Sequence, residues 1–277
     1  MEHSYHFGRS GFKMNQRQQE ILVLVQQQGF VAIETLAQNF NVTPQTIRRD
    51  INTLCEQQLL TRHHGGAGLN SSVENVEYAT RQVMNLEEKC CIAEMAARQI
   101  PDRASIFINI GTTTEEVAKA LQNHHGLRII TNNLNVAVIL RSNPSFEIII
   151  AGGAVRPRDG GITGEATIDF IRQFKVDFGI IGISSIDADG TLLDFDYHEV
   201  RATQAIIENS RQVFLVADQS KFERCAMVRL GNINQVDAFF TDHPPPPHFI
   251  EILTETNVVL HTAGANSHKT KRPAELI

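Results

Sequence analysis

Gln45, Thr46, Arg48 and Arg49 stand within the eight residues Thr43-Pro44-Gln45-Thr46-Ile47-Arg48-Arg49-Asp50, and these are side-chain types that read duplex DNA. Arginine can pair in bidentate fashion with a guanine edge and glutamine with an adenine edge, while threonine and a helix N-terminus suit phosphate oxygens. Residue types alone do not say which of them, Thr43 included, reads bases and which holds the backbone. Two adjacent arginines by themselves are more often a solvated helix face than a DNA contact. Arg62, His63 and His64, just before Gly65-Gly66, add a second small basic segment, and a cationic face built from two such segments is the footprint of nucleic-acid binding.

A second group suits a phosphorylated small molecule. Ile110-Gly111-Thr112-Thr113-Thr114 ends an apolar run and opens a helical pattern, the arrangement in which backbone N–H groups and hydroxyls hold phosphate. Simple capping of the helix by Thr112 is the competing explanation. Lys221, in Asp218-Gln219-Ser220-Lys221-Phe222, follows another apolar run and could add a point charge, although alone it would be a surface lysine. Asn132, Asn133, Gly152 and Gly153 also follow apolar runs. Loops at the carboxyl ends of parallel strands gather around one crevice, where these residues would bind hydroxyls; as turn or cap residues they would bind nothing. Cys55, Cys90, Cys91 and Cys225 lack C-x-x-C spacing, so free thiols are expected, with no metal and no cofactor.

These groups need elements to position them. Ile21, Leu22, Leu24 and Val25 recur at helical spacing within 15–28 and stop at Gly29, and a short helix fits 34–40. The third helix has the clearest start: Thr43 can cap, Pro44 takes the first position, and Ile47, Ile51 and Leu54 follow at i, i+4 and i+7. Leu59–Arg62 and Ala67–Leu69 around the glycines read as a two-stranded hairpin. The polar stretch 70–85 reads as a linker without evident ligand groups. From Leu86 a helix runs to Gln99, after which strands and helices alternate to about Leu260, a pattern that predicts βαβ units and a parallel sheet. The expected domains are therefore a winged helix-turn-helix at 14–69, a linker at 70–85 and an α/β sensor at 86–262.

The length of 277 residues suits two domains. Residues 1–70 hold six Lys and Arg against five Asp and Glu, which leaves −7 on the remainder of a chain whose net charge is −6; the basic face must be small and local. Apolar runs such as 146–151 and 178–183 fall far short of the roughly 18 residues of a membrane span. The first thirteen residues lack the apolar core of a signal peptide, and a cytoplasmic protein is expected.

Thr43–Asp50 together with Arg62-His63-His64-Gly65-Gly66-Ala67 closely resembles the signature of DeoR-family repressors. The resemblance runs over about residues 14–262 and includes longer strings at 159–161, 164–167, 193–201 and 205–211. It implies a homo-oligomer, dimer or tetramer, that binds operator DNA and responds to a phosphorylated sugar or polyol. The longer strings imply glycerol 3-phosphate as the effector and bring Glu199, in the 193–201 string, into the set of effector residues. Another sugar phosphate is the alternative. The second domain also resembles the ribose-5-phosphate isomerase fold through Asp177–Gly182 and Val216–Lys221, which makes a sugar-phosphate isomerase the runner-up. Ile181 and Ser184 stand where that pattern carries carboxylates, and acid/base work on a sugar needs titratable groups, so binding without turnover is expected. A sensor domain that only oligomerises would have no use for the Gly-Thr loop.

Overall fold

The structure is a computed structural model and describes residues 14–28, 30–57, 59–63, 65–68 and 78–263. The chain divides into two compact units, 1–70 and 71–277.

The first unit contains α1 (Gln16–Gln28), β1 (Phe30–Ala32), α2 (Ile33–Asn39), α3 (Pro44–Glu56), β2 (Thr61–His63) and β3 (Gly66–Gly68). Ile21 and Val25 of α1, Leu36 of α2 and Ile47, Ile51 and Leu54 of α3 form its core. Thr43 caps α3, its hydroxyl accepting from the Thr46 N–H at 3.3 Å, with Pro44 next to it. Asp50 is buried on the inner side of α3. It accepts from Arg17 Nε at 2.6 Å and from Gln18 Nε2 at 3.3 Å, which pins α3 to α1. The strands pair antiparallel in the order β1-β3-β2, so the expected two-stranded hairpin gains a third strand from the residues directly after α1. Gly66 makes this possible: a Cβ there would lie 2.3 Å from Phe30 Cζ and 2.5 Å from the Val31 carbonyl.

The second unit opens with α4 (Tyr78–Val83) and α5 (Leu86–Ala97), followed by β4 (Ser105–Ile108), α6 (Thr112–Ala120), β5 (Arg128–Thr131), α7 (Leu134–Leu140) and β6 (Glu147–Ile150). After these come β7 (Ala154–Val155), β8 (Ile162–Thr163), α8 (Glu165–Ile171), β9 (Val176–Ile181), β10 (Ser185–Ile186), β11 (Thr191–Asp194) and α9 (Tyr197–Glu208). The unit closes with β12 (Ser210–Val216), β13 (Val228–Asn232), β14 (Ala238–Thr241), α10 (Pro247–Glu255) and β15 (Val259–Thr262). α4 falls inside the stretch read as a linker.

Seven strands form a parallel sheet in the order β15-β14-β12-β9-β4-β5-β6. Alternate residues feed two cores, as a sheet covered on both faces requires. Ile106 and Ile108 of β4 pack with α5, α6 and α7, whereas Phe107 between them packs on the other face, with α8, α9 and α10. The chain leaves β4 first to one side, through β5 and β6, and then returns to lay β9 on the other. The gap between the ends of β4 and β9 is thus a topological switch point, where crevices open in sheets of this kind. The hairpin β7–β8 and the three-stranded antiparallel sheet β10-β11-β13 were not expected; strands of two to five residues carry too little alternation to be read.

Candidate functional site

In the first unit, Gln45, Arg48, Arg49 and Asn52 recur at i, i+3, i+4 and i+7 on the face of α3 opposite its core residues, and all four are exposed. Thr46 is half-buried beside its cap partner Thr43, to whose hydroxyl its own lies at 3.0 Å. Arg62 of β2 donates from Nη1 to Asn52 Oδ1 at 3.1 Å, which brings the strand's arginine against the same face. His63 belongs to β2 by its backbone, and His64 lies outside the described residues. The result is one continuous polar, cationic face drawn from a helix and the strand beside it, with Asp50 turned inward.

In the second unit, the switch point holds a pocket of about 370 Å3, counted out to its open mouth. It is lined by Ile110–Thr113 after β4, Gly182–Ser184 after β9, the cations Lys221, Arg224 and Arg81, and the carboxylates Asp194 and Glu199. Asn109 ties the two loops together, its Oδ1 accepting from the Gly182 N–H at 3.0 Å. α6 begins at Gly111 without a side-chain cap, so its first turn can present its N–H groups and positive dipole end to an anion.

The charges are set by burial. Lys221 is pulled down to about 7 by its removal from water, opposed by Asp218, whose carboxylate is 3.7 Å away, and reinforced by Arg224, Lys89 and Arg81. Arg224 is likewise lowered by burial and by Arg81, to about 10, which leaves it charged at neutral pH. Asp218 stays ionised, held at about 2: burial works against it, but Lys221, Ser220, Lys89 and Asn85 outweigh that. Burial and the neighbouring Asp194 push Glu199 up to about 7, although Arg156 contacts it and Arg81 also favours its ionised form. Asp194 is raised by burial too, against hydrogen bonds from the Phe195 N–H at 2.7 Å and the Ser184 hydroxyl at 3.0 Å. The pocket therefore offers an anion seat of cations and a helix terminus, and its lining includes two carboxylates that can accept from hydroxyls.

Of the residues expected around the effector, Gly111, Thr112, Thr113, Glu199 and Lys221 line this pocket. Thr114 turns back, donating to the carbonyls of Asn109 and Gly111 at 2.9 Å. Asn132 is buried and donates to the Ile162 carbonyl at 3.0 Å, and Asn133 caps α7 through the Asn135 N–H at 2.9 Å. Gly152 accepts from the Thr167 hydroxyl, and Gly153 approaches the same hydroxyl so closely that a Cβ would overlap it. These four residues follow β5 and β6, on the far side of β4 from the switch point, and therefore support neighbouring loops instead of facing the pocket. Arg81, Arg224 and Asp194 were missed. Arg81 belongs to the stretch 70–85, read above as a linker without ligand groups, and lines the pocket. Asp194 together with Glu199 supplies carboxylates that the identities of Ile181 and Ser184 did not reveal. Among the described residues no cluster of three or more His, Cys, Asp or Glu is placed to hold a metal ion, and no helix is long and apolar enough to cross a membrane.

Residues 17–73 match the model of the DeoR-like helix-turn-helix domain, and residues 84–243 match that of the DeoR C terminal sensor domain. The chain belongs to the DeoR family. Among its DeoR-family relatives, the glycerol-3-phosphate regulon repressor of Escherichia coli K12 is 57% identical over 248 residues, covering 90% of this chain and 98% of that protein. The glycerol-3-phosphate regulon repressor of Haemophilus influenzae is 55% identical over 233 residues, 84% of this chain and 91% of that protein. The E. coli transcriptional repressor CsqR is 46% identical over 244 residues, 88% and 94% of the two chains. Similar solved structures include a ribose 5-phosphate isomerase from Methanocaldococcus jannaschii (TM-score 0.38, 13% identity, 50% of this chain and 55% of that one). Another is eIF2B beta from Chaetomium thermophilum (TM-score 0.45, 15% identity, 77% and 58%). Likeness at that level carries no functional argument. In this DeoR-family chain α4 falls between the two family models, in residues that neither covers.

Proposed function

We propose that this chain is a DNA-binding transcription repressor of glycerol 3-phosphate metabolism genes, acting in the cytoplasm as a homo-oligomer and released from its operator by glycerol 3-phosphate. The observation that carries the reading is the pocket at the switch point, whose lining holds both cations and carboxylates. Its cations and the α6 N-terminus suit a phosphate dianion, while Asp194 and Glu199 suit the hydroxyls of a small polyol. The two relatives above that share more than half of their residues with this chain are named for the glycerol 3-phosphate regulon. Thr43, Gln45, Thr46, Arg48, Arg49 and Arg62, with His63 and His64, meet the operator in this reading. Gly111, Thr112, Thr113, Lys221 and Arg224 hold the phosphate.

Calorimetric titration with glycerol 3-phosphate, ribose 5-phosphate and inorganic phosphate tests it. Tightest binding of glycerol 3-phosphate is expected; equal affinity for all three would leave the effector's identity unsupported. The two pocket carboxylates are what favours the second reading, a sugar-phosphate isomerase. Against it, Glu199 is committed to Arg156 and Asp194 to Ser184 and the Phe195 N–H, so neither is a base poised at a substrate C–H. Interconversion of ribose 5-phosphate by purified protein, abolished in Glu199→Gln, would establish the enzyme instead.

A further inference from the structure

We infer that α4 is a working wall of the effector site: Arg81 contacts the effector's anionic group, and occupancy of the pocket thereby fixes the segment that leads to the DNA-binding unit. The inference rests on the reading of the pocket as a phosphate site. α4 has six residues and buries none of them. A helix that short does not persist on its own hydrogen bonds, and without apolar burial its attachment depends on polar contacts that open at low cost.

Those contacts run to the first turn of α6 and to Asp218 beside Lys221, both at the pocket, and to α7 and α5. Tyr78 donates from Oη to Glu115 Oε2, in the first turn of α6, at 2.7 Å, and accepts there from Asn135 Nδ2 at 2.8 Å. Lys89 is buried in α5 and donates from Nζ to the carbonyls of Arg81 and Met84, at 2.6 Å for the latter. Asn85 donates from Nδ2 at 3.0 Å to Asp218, the carboxylate that also faces Lys221. Held in this way, Arg81 lines the pocket along with Lys221 and Arg224, and Asp159 Oδ2 lies 4.0 Å from its Nη2.

Arg81, on a weakly attached helix, disfavours the charged forms of Lys221 and Arg224, a repulsion that Asp218 and Asp194 offset only in part. A phosphate among them turns that repulsion into attraction. An effector shifts an equilibrium only through differential affinity for its two states, and Arg81 supplies such a difference: the seat is complete only when α4 is docked. α4 is the first described element after the DNA-binding unit, so its docking sets where the connecting chain departs.

The test compares wild type, Arg81→Ala and Lys89→Met in two measurements, with glycerol 3-phosphate as the probe and each variant's operator affinity without effector as its own reference. In wild type, saturating glycerol 3-phosphate should slow amide exchange across 78–85 and weaken operator binding by about tenfold or more. In Arg81→Ala, glycerol 3-phosphate should still bind, more weakly, through Lys221, Arg224 and α6, yet at saturation leave α4 exchange and operator affinity nearly unchanged. Lys89→Met, which keeps every pocket side chain but removes the tie that holds Arg81 in place, should bind glycerol 3-phosphate about as weakly as Arg81→Ala does and lose most of the release. Arg81→Ala releasing the operator as wild type does, or α4 exchange in wild type indifferent to bound effector, overturns the inference while sparing the phosphate reading. Failure of wild type to bind either glycerol 3-phosphate or inorganic phosphate removes both.

Discussion

Arg156 Nη2 lies 2.7 Å from Glu199 Oε2, and the same guanidinium grips Asp159 through both carboxylate oxygens at 2.9 and 2.7 Å and Asp196 at 2.8 Å. One cation thus holds three acids from the loop after β7 and the start of α9, and fixes the carboxylate edge of the pocket. Removing one partner of a buried ion pair typically costs about 3–5 kcal/mol, an upper bound here because Arg158 also pairs with Asp196 and, with Arg81, approaches Asp159. Arg156→Ala is expected to lower the stability of the second unit by up to that amount, read as a fall in its calorimetric transition temperature. Adding Glu199→Gln should restore part of the loss. A transition unmoved by Arg156→Ala would show that the cluster is not structural.

The exposed stripe of α3 gives a separate expectation. Arg48→Ala and Arg49→Ala should each weaken operator binding, by about 1–3 kcal/mol where a bidentate base contact is lost, and a variant that loses only a phosphate contact should reduce the salt slope without altering sequence preference. Fluorescence anisotropy on an operator selected from random duplex DNA measures both. Glycerol 3-phosphate binding should be untouched, since neither residue belongs to the second unit. Unchanged operator affinity in both variants, with folding intact, would remove this helix as the reading element.

With Lys221 in the phosphate seat, as proposed, effector binding should depend on pH. In the free protein Lys221 sits near pKa 7 among Arg224, Lys89 and Arg81, with Asp218 opposing. A bound dianion favours its charged form and raises that value, so binding takes up a proton between the free and the bound pKa. Affinity therefore falls as pH rises above about 7. The phosphate is already a dianion above its second pKa of about 6 and does not mask the slope. Glu199, also near 7, becomes an anion over the same range and works in the same direction. Calorimetry at pH 8 in buffers of different ionisation enthalpy should register the proton uptake. A flat affinity from pH 7 to 9 would contradict it.

Local chemistry made some of this legible in the sequence. Thr43-Pro44 with Ile47, Ile51 and Leu54 marked α3 and its polar side, because a cap and a helical repeat are complete within a dozen residues. The βα alternation marked the parallel sheet, and Gly111–Thr113 and Lys221 announced themselves as loop residues after strands. Strand order did not show, and that is why Asn132, Asn133, Gly152 and Gly153 looked equivalent to Gly111: only the placement of β9 beside β4 decides which strand ends share a crevice. Arg81, Asp194 and Arg224 reach the pocket from a six-residue helix, a short antiparallel strand and the segment before another. None of these carries a period or motif, and Arg81 meets Asp194 and Arg224 only across more than a hundred positions of chain.

In the function proposed above, occupancy of the switch-point pocket releases DNA. This release is tested most directly by titrating glycerol 3-phosphate into the preformed complex of the full chain with its selected operator, in wild type and in Lys221→Ala. Coupling between the two sites of about 1–3 kcal/mol predicts that saturating effector weakens the wild-type complex severalfold to a hundredfold or so, and that the Lys221→Ala complex persists at effector concentrations that dissociate wild type. Operator affinity unaltered by glycerol 3-phosphate in wild type, or release by Lys221→Ala at the wild-type midpoint, would contradict it.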